Sequence, residues 1–138
     1  MLSKLLLAWA LMALCVAIHA ASVTAAGRWL RRQPADDLRF WQWTWVFIRL
    51  AGWMIAVHLV EIAAWAGVYA WRQAMPDLQA ALYFSAVTYT TTGYGDLVLP
   101  ADWRLVGGVE ALTGILMCAW SSGFFFAVVS RMIQSDPA

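Results

Sequence analysis

The sequence predicts an all-α membrane protein, with three transmembrane helices and a short re-entrant helix between the second and third. Composition is the first reason: 63% of the residues are hydrophobic and only 12% are charged, with a mean hydropathy of +0.67, whereas a soluble domain carries roughly 25% charged residues. The second reason is that residues 5–27, 46–71 and 105–129 are each apolar enough and long enough to cross a bilayer, which takes about 20 residues in a helix. The third is a stretch at 78–90 that is equally apolar but too short to span. The net charge of +1 gives no sign of a nucleic-acid partner. The two cysteines, Cys15 and Cys118, each lie inside an apolar stretch. They read as small hydrophobic filler, not as a disulfide scaffold or a metal-binding pair.

The first helix, within residues 1–27, is interrupted only by His19 and small hydroxyl residues. Lys4, an apolar core and alanines near residue 20 also suit a secretory signal. Cleavage there would leave the following arginines on the wrong side of the membrane, so the segment is expected to stay as a helix. Residues 28–45 form a basic loop with Arg28, Arg31, Arg32 and Arg39. Its end, from Asp36 on, puts Leu38, Trp41 and Trp45 on one helical face, the pattern of a helix lying at the membrane interface. The second span starts near Val46, with Arg49 close to its start and His58 and Glu61 further in. Pro76 and Asp77 then suit a helix N-terminus, giving a re-entrant helix at 78–90. An irregular segment at membrane depth must be buried in protein or line water. The third span, at 105–130, has Glu110 as its only charge within the apolar core, and residues 132–138 form a short tail. No span has arginine at every third position, which excludes a voltage sensor.

Residues 90–96 read Thr-Thr-Thr-Gly-Tyr-Gly-Asp. Aiming successive backbone carbonyls at one axis requires peptides that alternate between right- and left-handed conformations, and glycine alone enters the left-handed region freely. Gly93 and Gly95 supply such positions. The heptapeptide closely resembles the selectivity filter of potassium channels, commonly Thr-Val-Gly-Tyr-Gly. The order of helix, short helix, filter and helix over residues 58–131 is similar to the two-transmembrane pore module of bacterial ion channels, here with an additional N-terminal helix. The resemblance implies that carbonyls of Thr91, Thr92, Gly93 and Tyr94, with the Thr91 hydroxyl and Gly95 beside them, bind K+ in successive oxygen rings. It implies further that Tyr83 hydrogen-bonds near Asp96 while Phe84 packs beside Tyr94. Thr92 replaces the usual valine or isoleucine, and Val87 stands where some relatives carry a glutamate.

Within this resemblance Gly114 corresponds to a hinge glycine, with close packing against the short helix as the other use of a small residue there. Cys118, Ser122 and Phe126 follow on one face of the last helix, as cavity lining and gate. Glu61 lies about ten residues, roughly 15 Å, below the outer end of its helix. A carboxylate at that depth is expected to face protein. His58, one turn earlier, and Glu110, at comparable depth, are its candidate partners, and bracing of the filter from behind is its expected role.

One filter segment per chain implies four chains around an axis, a homotetramer. The arginine-rich loop places residues 28–45 inside, hence the N-terminus outside and the C-terminus inside. The expected function is passive K+ conduction in a bacterial cytoplasmic membrane, with no cofactor besides K+ in the filter and with membrane lipid as the other partner. The alternatives are a subunit of a potassium-uptake transporter and a nonconducting sensor or assembly subunit. No nucleophile-base pair or metal cluster points to an enzyme.

Overall fold

In a computed structural model, which describes residues 1–33 and 40–134, the described residues form four α-helices and one 3₁₀ turn. They are α1 (Leu2–Arg31), α2 (Phe40–Trp71), α3 (Leu78–Tyr89), the turn Ala101–Trp103, and α4 (Arg104–Gln134). Three of these helices are long and apolar enough to cross a membrane. The short α3 is wedged between α2 and α4, and α1 packs along both of them.

Two helix boundaries differ from the sequence expectation. The first helix does not stop at residue 27 but runs to Arg31. Its last turn contains Arg28 and Arg31, good helix formers that also complement the negative end of the dipole. Arg131 of α4 completes that end, donating from its guanidinium to the carbonyls of Leu30 at 2.8 Å and Gln33 at 3.2 Å. The second helix begins at Phe40, ahead of the expected residue 46, so Trp41 and Trp45 belong to its first turns and not to a separate interfacial helix. Trp43 is buried while Trp41 and Trp45 face outward; Leu38 lies outside the described residues. At the other end, Gln73 adopts a left-handed φ of 54°. The N–H groups of Gln73 and Ala74 donate to the carbonyls of Ala70 and Tyr69, which closes α2 as a Schellman motif without glycine.

The short helix α3 starts as anticipated. Asp77 is its N-cap and accepts from the Ala80 N–H at 2.7 Å; Pro76 sits just ahead of the cap. Packing divides into two clusters along the helices. One gathers Leu11 of α1, Trp65 and Tyr69 of α2, Phe84 and Tyr89 of α3, and Trp103 and Met117. The other gathers Leu30, Trp43, Leu50 and Val128 without α3. Lipid tails are as apolar as these side chains, so close packing and internal hydrogen bonds, more than water exclusion, hold such helices together. The N-terminus lies at the same end as the 3₁₀ turn, where Lys4 pairs with Asp102 and stands 4.5 Å over the Trp103 ring. The arginine-rich end of α1 lies at the opposite end, beside Arg131.

Candidate functional site

Residues 90–96 leave the C-terminus of α3 as an exposed, irregular strand. Positive φ falls at every second position: Thr91 at 59°, Gly93 at 52° and Gly95 at 78°, with Thr92 and Tyr94 outside that region. The alternation expected from the two glycines therefore extends one step further, to a threonine. A β-branched residue there costs roughly 1–2 kcal/mol, so neighbouring bonds must fix it. Thr91 N–H donates to Thr88 O at 2.9 Å, and Gly93 N–H donates to Val87 O at 3.0 Å. Thr90 Oγ1 donates to Ala86 O at 2.7 Å and lies 2.9 Å from Thr92 Oγ1. At the mouth, Tyr83 Oη donates to Asp96 at 2.7 Å. The Asp96 carboxylate that receives this bond raises the Tyr83 pKa above the ordinary tyrosine value. Phe84 does not pack beside Tyr94 within the chain; it meets Tyr69 edge-on at 5.5 Å between centroids, while Tyr94 is 71% exposed.

Behind this strand, two buried carboxylates hold α3 through hydroxyls one turn apart on one face. Glu110 of α4 accepts from Ser85 Oγ at 2.6 Å and from Tyr69 Oη at 2.8 Å, tying α4 to α3 and α2. Glu61 of α2 is 0% exposed. It accepts from Tyr89 Oη, the last residue of α3. His58 Nδ1 lies 3.4 Å from Glu61, and His19 Nδ1 of α1 lies 3.2 Å from it. Of the two partners considered for Glu61, His58 is beside it and Glu110 is not. Each carboxylate has its own set of hydroxyl donors, so the two like charges need not share one site.

Sequence reading missed His19, Tyr69, Ser85, Tyr89 and Ser121. A signal existed for His19, since an ionisable residue inside a membrane span usually has a partner in protein. For the hydroxyl residues no local signal existed.

Gly114 is buried against α3: a Cβ there would lie 1.9 Å from the Tyr89 carbonyl oxygen and 2.7 Å from its carbon. The helix α4 runs unbroken through it, so the glycine serves close approach of two backbones. Cys118, Ser122 and Phe126 are all exposed along one side of α4, and Ser122 Oγ donates to Cys118 O at 3.0 Å.

A family model described as an ion channel matches residues 55–131. The match takes in the C-terminal half of α2, all of α3, the irregular strand and α4 to Arg131, and leaves α1 outside. No curated protein and no solved structure matches the chain. With more than half its length matched, the chain belongs to the ion channel family.

Proposed function

We propose that four copies of this chain surround a central axis and conduct K+ passively through residues 91–95. The observation that carries this reading is the heptapeptide at 90–96 together with its alternating backbone handedness at Thr91, Gly93 and Gly95. In the tetramer the carbonyls of Thr91, Thr92, Gly93 and Tyr94, with the Thr91 hydroxyl, replace the hydration shell of a weakly hydrated cation. The exposure of Tyr94, and of Cys118, Ser122 and Phe126 on α4, supports the reading, because these are the surfaces that neighbouring copies and a central cavity would use.

Support for the rings comes from behind: the Tyr83–Asp96 bond at the mouth, and the Glu61 and Glu110 clusters on α3. The filter faces outward and the arginine-rich end inward, with the N-terminus outside, in a bacterial cytoplasmic membrane. The test is uptake of rubidium into liposomes holding only the purified protein, alongside its native mass in mild detergent. Uptake that Na+ does not carry and a mass of four chains are expected. A dimeric mass, or liposomes as tight as empty ones, would contradict the reading.

A further inference from the structure

Both histidines of the chain meet at Glu61. His19 and His58 have ring centroids 5.3 Å apart, and both present Nδ1 to the carboxylate, at 3.2 and 3.4 Å. His58 Nδ1 also lies 3.3 Å from Tyr89 Oη. On the far side both present Nε2 to a single oxygen, Ser121 Oγ, at 3.2 and 3.1 Å. One ligand atom from each of His19, His58 and Glu61 lies within 4.8 Å of the others.

The protons do not balance if these groups simply bond to one another. His19 to Glu61, His58 to Tyr89, Tyr89 to Glu61, and Ser121 to each Nε2 are five hydrogen-bond contacts. Each contact needs one proton between its partners. A carboxylate, two neutral imidazoles, a phenol and a hydroxyl bring one proton fewer than that. An added proton or a metal ion would complete the set.

A metal on the Nδ1 side removes the deficit. Each imidazole would then carry its proton on Nε2 and donate it to Ser121 Oγ, whose two lone pairs accept both. The Ser121 hydroxyl would donate onward to Met54 Sδ, 4.0 Å away. Ligating histidines nearly always place their second nitrogen on such an acceptor, which fixes the tautomer. The spacings fit too. A tetrahedral ion with bonds of about 2.0–2.1 Å holds its ligand atoms about 3.3–3.4 Å apart; His19 Nδ1 stands 3.2 Å from Glu61 Oε1, and one ligand atom from each of the three residues falls within 4.8 Å of the others.

We infer that His19 Nδ1, His58 Nδ1 and one oxygen of the Glu61 carboxylate form a binding site for a divalent transition metal of the zinc class, with water at the fourth corner and Tyr89 Oη donating to the other Glu61 oxygen. Two nitrogens and two oxygens suit Zn2+ or Co2+ better than Mg2+ or Ca2+, which take oxygen ligands. Tyr89 keeps its proton, and its bond to Glu61 orients the ligating carboxylate. The site would join α1, outside the family match, to the last residue of α3.

The test is titration of the purified full-length protein in detergent with Co2+, followed by visible absorption. One Co2+ per chain is expected, with the intense band of a four-coordinate ion, displaced by Zn2+. His19→Gln and His58→Gln should lose the band while keeping the elution volume of the native assembly. Ser121→Ala keeps every ligand and should weaken binding by about 10–100-fold at unchanged stoichiometry. That variant decides the matter if the histidine variants do not fold, because wild-type affinity in it would overturn the assignment. No saturable binding of Co2+ or Zn2+ to the native chain would also overturn it, and would leave the added proton as the missing charge. The readout needs no current, so it succeeds or fails independently of the conduction reading.

Discussion

Gly114→Ala is the substitution whose cost follows most directly from the geometry. The added methyl would lie 1.9 Å from the Tyr89 carbonyl oxygen, 2.7 Å from the carbonyl carbon and 2.9 Å from the Tyr89 ring. Real Cβ atoms essentially never come closer than 3.0 Å, so α3 and α4 must separate by more than an ångström. Two of the three obstacles are backbone and cannot turn aside as a side chain would. Overpacking of this kind costs typically about 1–3 kcal/mol per site, and the upper end is expected here, against a gain in helix propensity of about 1 kcal/mol. The displaced residue is Tyr89, which leads directly into residues 90–96, so flux should fall more than stability. Thermal melting followed by tryptophan fluorescence, and rubidium uptake into liposomes, read the two effects. Gly67→Ala, where no atom lies within 4 Å of the new methyl, is the control and should match or exceed the native melting temperature. A Gly114→Ala protein with native melting and native flux would refute the close-approach argument.

Gly93→Ala meets no atom within 4 Å but forces a side chain onto a φ of 52°. It should cost about 1–2 kcal/mol per chain and abolish rubidium uptake while leaving assembly intact. Glu110→Ala leaves the Ser85 and Tyr69 hydroxyls buried without their acceptor, at about 1–3 kcal/mol for each orphaned group. Thermal melting should show a smaller loss for Glu110→Gln, which keeps one acceptor oxygen. Tyr83 donates to Asp96 only while protonated, and that bond raises its pKa. Its contribution is therefore present below the ordinary tyrosine pKa of about 10 and is lost as pH rises through the raised value. Tyr83→Phe should remove that alkaline loss of flux and lower flux at neutral pH.

The three long apolar helices and the short one between them were legible because length and apolarity alone determine them, and Asp77 marked the start of α3 by its charge at the positive end of the dipole. Gly93 and Gly95 were legible as left-handed positions because only glycine takes them without strain. Thr91 was not, since a β-branched residue on positive φ is held there by bonds from the preceding turn. The end of α1 was misplaced for a long-range reason: Arg131 reaches Leu30 from a hundred residues away and caps a helix that its own sequence would let fray. Glu61 and Glu110 were placed at similar depth from counting residues, but depth says nothing of rotation about the helix axis. Rotation turns Glu110 toward Ser85 and Glu61 toward Tyr89 and His19. The pairing of His19 was missed because its partner lies in another helix, 42 positions away.

The reversal potential of the purified protein in planar bilayers, with K+ varied on one side and Na+ held opposite, tests the central claim most directly. Oxygen rings at residues 91–94 predict a reversal that follows the K+ gradient by about 59 mV per tenfold change and ignores Na+. A reversal that stays fixed as the K+ gradient is varied, or that follows Na+, would contradict potassium conduction through this strand.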